Sequence, residues 1–253
     1  MKVVLLGSGN VATHLAQAFT AAGMQVSQVW SKTPENAGAL AVKVGAKAIT
    51  DLEGIELDAD LYVISVKDDG IATVANALSS VQGLVVHTSG ATALDALRGL
   101  MNTGVLYPLQ TFSKTQQLDF SKVPLCLEAD SEINYARLEA IAAQLSTAIF
   151  KVSSAERKVL HVAAVFVCNF PNYLYQIGHE LVAERNLSFE LLKPLILETA
   201  LKVQHADPGT VQTGPAVRGD EQTMQAHMGL LTNHPIWQDI YESMSNNIKN
   251  TQI

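Results

Sequence analysis

The stretch Met1-Lys2-Val3-Val4-Leu5-Leu6-Gly7-Ser8-Gly9-Asn10-Val11-Ala12 decides the fold. An apolar, β-rich run over residues 3–6 feeds straight into Gly7, Gly9 and Ala12, the G-x-G-x-x-A spacing of a dinucleotide-binding turn. Each small residue has a mechanical task. Gly7 makes the tight turn out of the strand, Gly9 leaves bare backbone for a pyrophosphate, and Ala12 lets the next helix lie close on the sheet. Ser8, Asn10 and Val11 complete the loop, and a helix over 11–22 aims its unpaired N–H groups and positive dipole end at a phosphate. The motif alone is weak; strand before and helix after supply the context it demands. A glycine-rich turn serving only packing is the plainer alternative.

Working outward, short β-rich runs recur at 2–6, 25–30, 61–65, 83–87, 104–107, 124–128 and 148–151, with a shorter one at 46–48. Helical patterns at 11–22, 34–44, 70–79, 93–99 and 132–145 separate them, and that alternation is the signature of a mainly parallel, doubly wound α/β sheet. After Ser153 the texture changes. Apolar residues recur at helical spacing through 155–184, 188–206, 222–231 and 235–249, so an all-α C-terminal domain is expected. The expected division is a Rossmann-type domain over 1–152 and a helical domain over 153–253. The run over 159–177 is apolar on every side, which predicts a helix buried on every side, as the spine of its domain or of a homodimer formed through the C-terminal half. Pro171 should kink or break it. The Pro-, Gly- and Thr-rich segment 207–220 reads as an ordered loop.

The chain has 253 residues, 48% hydrophobic and only 16% charged, enough for a substantial core. No apolar run reaches the ~20 residues that span a bilayer, so no membrane partner is expected. The N-terminus reads as a fold strand rather than a signal peptide, which predicts a cytoplasmic protein. Cys126 and Cys168 read as buried free thiols, and no metal-ligand spacing is present. The net charge of −7 without a basic cluster argues against nucleic acid.

NAD-binding versions of the fold carry an Asp or Glu about 20 residues after the glycines, for the ribose 2′-hydroxyl. Here the second strand runs instead into Ser31-Lys32-Thr33, two hydroxyls and an ammonium where a 2′-phosphate would lie. NADP is favoured over NAD, although the same three residues also suit a polar loop with Thr33 capping the next helix. Ligands of doubly wound sheets bind beyond the C-terminal strand ends. Val66 and Lys67 then lie beside the ribose or nicotinamide, Asp68 or Asp69 caps the following helix, and Ser89 and Gly90 offer a hydroxyl and an N–H to substrate. His87 at that strand end reads either as part of this edge or as a satisfied structural histidine.

Several segments occur in order: residues 7–12, Ser31-Lys32-Thr33, Val66-Lys67-Asp68-Asp69, His87-Thr88-Ser89-Gly90, Tyr107-Pro108-Leu109-Gln110-Thr111-Phe112, His161 with Asn169-Phe170, residues 213–220 and His227. The set resembles a bacterial family of Rossmann-like proteins with a helical C-terminal domain of unknown function, labelled NADP oxidoreductases and similar at the N-terminus to deazaflavin-dependent ones. The resemblance spans nearly the whole chain, and the Pro-Leu-Gln-Thr-Phe and Gly-Pro-x-x-Arg-Gly-Asp segments are its more specific parts. More remotely the architecture is similar to pyrroline-carboxylate, ketopantoate and 6-phosphogluconate reductases or dehydrogenases. It implies an NADP-linked oxidoreductase and no particular substrate.

Hydride chemistry belongs to such a cofactor, so the protein must orient substrate and manage a proton. His161, a titratable ring on an apolar helix, is the leading catalytic candidate, with Asn169 two turns on and about 80° round. Each also has a plain reading: a histidine bonded to a nearby carbonyl, and an amide satisfying carbonyls freed by Pro171. Gln110 and Thr111 follow a strand end and face the expected cleft between domains. Arg218 has the planar fork to grip a carboxylate or phosphate, with Asp220 and His227 two turns apart beside it. Asp220 equally suits a helix cap. The function that follows is hydride transfer between NADP(H) and a small carbonyl, imine or acid. The alternatives are a non-catalytic NADP-binding sensor and, more distantly, a methyltransferase with a similar glycine loop.

Overall fold

A computed structural model describes residues 1–116 and 118–251. Its first part alternates as the sequence predicts: β1 (Lys2–Leu6), α1 (Asn10–Ala21), β2 (Gln25–Trp30), α2 (Pro34–Val44), β3 (Lys47–Ile49), β4 (Leu61–Ile64), α3 (Ile71–Asn76), β5 (Leu84–His87), β6 (Thr103–Pro108), β7 (Leu125–Ala129), α4 (Glu132–Ala142) and β8 (Ile149–Lys151). These strands form one eight-stranded sheet ordered β3-β2-β1-β4-β5-β6-β7-β8, parallel throughout except for the antiparallel β6–β7 pair. The fold is the α/β, Rossmann-type sheet expected. The short run near residue 47 is a true edge strand, paired with β2 through Val29 and Ala48.

Two apolar layers explain why the sheet forms. Val3 and Leu5 face one way and join Leu15 and Phe19 of α1 and Leu138 of α4, while Val4 and Leu6 face the other and join Ile71 and Val74 of α3. Two of the predicted helices are shorter than their patterns. After Asn76 the chain leaves the helix with Leu78 and Val81 buried, and residues 93–99 hold only a 3-10 turn at Leu94–Leu97, closed by Gly99 with φ +99°. Burial outweighed local propensity at both.

The strands stop at β8, as the texture predicts. Then come α5 (Ser154–Ala164), a π-helical segment Val165–Asn169, α6 (Phe170–Ala183), α7 (Lys193–His205), α8 (Pro215–Arg218), α9 (Glu221–Leu230) and α10 (Pro235–Asn250). The expected loop over 207–220 contains the short α8. Pro171 has no N–H to close an i→i−4 bond, and the wide π turn directly before it absorbs that loss. The chain divides into two compact units, Met1–Asn169 and Phe170–Ile253, so α5 belongs with the sheet.

Within one chain the apolar run over 159–177 is not buried on every side: Val159 is 70% exposed and Val167 72%, so it is not the spine of its own domain. Periodicity reports which residues are apolar and says nothing of what covers them. Cys168 on this run is likewise exposed, whereas Cys126 is buried as expected. Among the described residues no helix is long and apolar enough to cross a membrane.

Candidate functional site

Between β1 and β4 the strand order reverses, and loops after β1 and β4 diverge at that point to open a crevice. A cavity of about 850 Å³ occupies it, within the first unit. Gly7, at φ +136°, donates its N–H to the Trp30 carbonyl at 2.8 Å; a Cβ there would stand 2.0 Å from the Ser65 carbonyl oxygen. Only glycine fits. A Cβ on Gly9 would meet nothing within 4 Å, so the space in front of its backbone is open, as a pyrophosphate requires. The α1 terminus that follows has no side-chain cap on its N-cap residue and no acidic residue in its first turn. Its leading N–H groups, which have no intrahelical acceptor, are available to an anion. Ser8, Asn10 and Val11 line the cavity, whereas Ala12 is wholly buried beneath it, where it sets helix-to-sheet distance.

At the far side of the crevice the Ser8 and Ser31 hydroxyls bond at 2.9 Å, and Ser31 Oγ also accepts the Thr33 N–H at 3.3 Å. Ser31 and the exposed Lys32 line the cavity, with Trp30 and Leu52 as apolar wall. Thr33 does not line it; it holds the N-cap position of α2 without a side-chain capping bond. Val66 and Lys67 line the cavity as expected. Asp68 and Asp69 also face it and form a 3-10 turn before α3 rather than capping that helix. The carboxylates that line the cavity, Asp68 and Asp69, are on the β4 side and none lines it beside Ser31 and Lys32, so the residues present fit a 2′-phosphorylated dinucleotide.

The other end is built on β5, β6 and α5. Ser89 Oγ accepts the N–H groups of Ala91 and Thr92 at 3.1 and 2.9 Å, which fixes the turn after β5 and leaves its own proton free to donate. Gln110 lines the cavity and accepts the Thr111 N–H at 2.7 Å, while Thr111 lies outside the lining. His161 lines the cavity, and its Nδ1 lies 3.1 Å from the Tyr107 hydroxyl, the two rings edge to face. The plain reading, a carbonyl partner, is not what forms. Asn169 is exposed and outside the lining of this cavity, at the end of the π segment.

Three contributors had gone unread in the sequence. Tyr107 ends β6 on the ligand edge, and burial raises its hydroxyl above the ordinary range, with Cys126 adding to the shift and Arg157 opposing it. Arg157 is fully buried. It donates to the Ser89 and Thr92 carbonyls at 3.2 and 2.7 Å, to Ser154 Oγ at 3.1 Å, and to Glu128 at 2.5 Å. Burial acts to raise the Glu128 carboxyl, but hydrogen bonds from Arg157 and Ser154 outweigh it and leave the group below its usual range. The i, i+4 spacing of Arg157 and His161 places both on one face of α5 and was the available signal. His87 is completely buried. Its Nδ1 accepts the Ser89 N–H at 3.2 Å and its Nε2 has no hydrogen-bond partner among the described residues. Burial, helped by the Arg157 charge, pushes this imidazole down to about 4; the Ala93 backbone offsets a little of that without reaching hydrogen-bond geometry.

Arg218, Asp220 and His227 all lie in the second unit. Asp220 caps α9, accepting the Thr223 N–H at 3.1 Å and its hydroxyl at 2.7 Å, and these bonds lower its carboxyl. Arg218 and His227 stand near enough to lower it further, and His227 Nδ1 bonds the Tyr241 hydroxyl at 2.8 Å. The three therefore come together, with Asp220 in its capping role.

Residues 2–89 match the family model described as NADP oxidoreductase coenzyme F420-dependent, and residues 123–248 match a domain of unknown function, DUF2520. A putative NADP oxidoreductase from Bacteroides fragilis, solved as a crystal structure, is 42% identical, covers 98% of each chain and superposes with a TM-score of 0.94. The chain belongs to this NADP oxidoreductase family. The resemblance carried by the sequence segments is thereby upheld. A protein from Thermotoga maritima is 21% identical over 98% of this chain and 99% of that one, with a TM-score of 0.79. An imine reductase from Myxococcus stipitatus, solved with NADP+, is 18% identical over 99% and 93%, with a TM-score of 0.67. Both likenesses show the fold of this oxidoreductase family. No curated protein matches the sequence.

Proposed function

We propose that the protein transfers a hydride between NADP(H) and a small carbonyl, imine or acid. The observation that carries this reading is the first unit's cavity. It runs from an open glycine loop and a lysine at one end to a tyrosine–histidine pair at the other, the length and chemistry a dinucleotide and a reacting group require. A bound nicotinamide supplies the hydride. The chain's own tasks are then to seat the pyrophosphate on the N–H groups of α1, to bond a 2′-phosphate through Lys32 and Ser31, and to place the substrate. Ser89 and Gln110 are the polar groups placed to contact it, and His161 handles the proton; Asn169 lies outside this cavity. An imine reductase of the same fold holds NADP+, which is consistent with this choice of dinucleotide.

The working form we infer is a homodimer. Among the described residues of the second unit only Ala216, Met224 and Leu231 are buried hydrophobics, while Leu191, Leu195, Leu197 and Leu230 are each more than 60% exposed. A unit of that size with so small an interior needs a cover. No Asp, Glu, Lys or Arg occurs between Lys158 and Glu180, so this stretch is self-complementary and suits the two-fold contact of an identical chain.

The cofactor reading is tested by titrating NADPH and NADH into wild type and Lys32→Ala. Loss of one charge-assisted bond should weaken NADPH by about tenfold and leave NADH unchanged. Equal affinity of the wild type for both dinucleotides would overturn the 2′-phosphate site.

A further inference from the structure

Gly90 is the unusual glycine of the site. It is not among the positive-φ glycines, so its backbone does not call for a missing side chain. Space does: a Cβ at this position would stand 2.6 Å from His161 Nδ1 and 2.9 Å from the Tyr107 hydroxyl oxygen. The bare backbone of Gly90 thus lies directly against the Tyr107–His161 contact, and all three residues line the cavity. Tyr107 is anchored from behind, in register with Cys126 across β6–β7. His161 is held one turn beyond the buried Arg157, whose bonds to Ser89 and Thr92 tie α5 to the same turn that carries Gly90.

The geometry points to Tyr107 as the catalytic residue that gives the proton to the substrate heteroatom, with His161 acting through it as the proton store. This deepens the reductase reading and rests on it. In the reducing direction the C=O or C=N carbon gains the hydride and the heteroatom takes the Tyr107 hydroxyl proton. The phenolic oxygen recovers a proton from Nδ1–H of a protonated His161, leaving a neutral ring that is recharged from solvent. Substrate is reduced by one hydride and one proton, and the dinucleotide is oxidised. A phenol carries its proton through the neutral range, and burial keeps it in that form. The titratable groups that act on Tyr107 are Cys126 on β7 and Arg157 on α5, and Lys32, Lys67, Asp68 and Asp69 line the same cavity. Arg157 is committed to Glu128, and His87 is uncharged through the neutral range.

The test compares the full-length wild type with Tyr107→Phe and His161→Gln. NADPH affinity is read by fluorescence, turnover on a panel of cyclic imines and small ketones against pH, and the imidazole nitrogens by NMR of histidine-labelled protein. Tyr107→Phe should bind NADPH normally, shift the His161 Nδ1 resonance, and lose about 10²–10⁴-fold in kcat, the usual worth of general acid catalysis. His161→Gln keeps a hydrogen-bonding partner for the phenol but stores no proton. The wild type should lose reductive turnover with rising pH, and this variant should not. Wild-type turnover in Tyr107→Phe, or an unchanged pH profile in His161→Gln, would overturn the proposal while leaving the reductase reading intact. A wild type that binds NADPH yet reduces no member of the panel would take down both.

Discussion

The two compact units of this chain treat their apolar residues in opposite ways. In the first, Val3, Val4, Leu5 and Leu6 are all completely buried, and two facing layers close over the sheet. In the second, α6, α7 and α10 contain no buried residue at all, and only three hydrophobic side chains are buried among its described residues. Leucine content does not distinguish them, because both are rich in it, although valine and alanine are concentrated in the first. The difference is that a strand's neighbours are fixed by backbone pairing within the chain, whereas a helix satisfies its own backbone and leaves its cover open. The sheet is therefore covered in one copy, whereas the helices, α5 and the π segment of the first unit included, need not be.

The sharpest way to break this contrast is to remove the polar tie inside the first unit. Arg157→Met keeps much of the side-chain volume but strips Glu128 of its buried partner and leaves the Ser89 and Thr92 carbonyls without their donor. Breaking a buried ion pair from one side costs about 3–5 kcal/mol. Glu128 keeps Ser154 and a little solvent, which favours the lower end. Urea unfolding should show that loss, with a separate effect on NADPH binding because the turn carrying Ser89 and Gly90 is released. A change within about 0.5 kcal/mol would mean that the pair is ornamental and that the unit is held by its apolar layers alone.

The next effect is set by pH. His87 sits at about 4 in the folded chain, against the ordinary 6.5, so the unfolded state binds more protons between those values. Stability then rises with pH across that window and is fully present above about 6.5; acidification from there to about 4 withdraws roughly 3 kcal/mol at ~1.4 kcal/mol per unit. His87→Asn keeps an acceptor for the Ser89 N–H and removes the titration. Its unfolding free energy should be flatter over pH 4–6.5 than that of wild type, measured by denaturant titration at each pH. An identical slope would place the proton-linked loss on other groups.

How much was legible follows the same divide. Gly7–Ala12 announced strand, turn and helix because each step needs a particular small residue, and β2 and α2 came out with the predicted bounds for a similar reason: Pro34 and Gly45 punctuate the helix directly. The cavity was readable in Lys32, Val66 and Lys67, which line it, since a doubly wound sheet delivers its strand ends to one edge. Tyr107 was not singled out, although it stands on that edge, because a tyrosine in a strand is ordinary until a histidine from a distant helix meets it. Asn169 ends a π turn that no propensity rule anticipates, so its angular place could not be counted from spacing. What covers Val159 and Val167 was unreadable for a global reason: cover is not encoded in spacing.

That last gap gives the smallest effect on the folded chain and the clearest test of the comparison. Val159 and Val167 are 70% and 72% exposed, so Val159→Ser with Val167→Ser removes almost no apolar surface that one copy buries. If each unit were complete alone, the double variant would change unfolding by no more than about 0.5 kcal/mol and leave the mass in solution untouched. If a second copy covers this stretch, the variant behaves otherwise. Light scattering at micromolar concentration should show the wild type at twice its chain mass and the variant shifted toward one. The wild-type melting temperature should rise with protein concentration, as mass action requires when folding and association are linked. A wild type that scatters as a monomer throughout would refute the dimer and require the second unit to be stable with three buried hydrophobics.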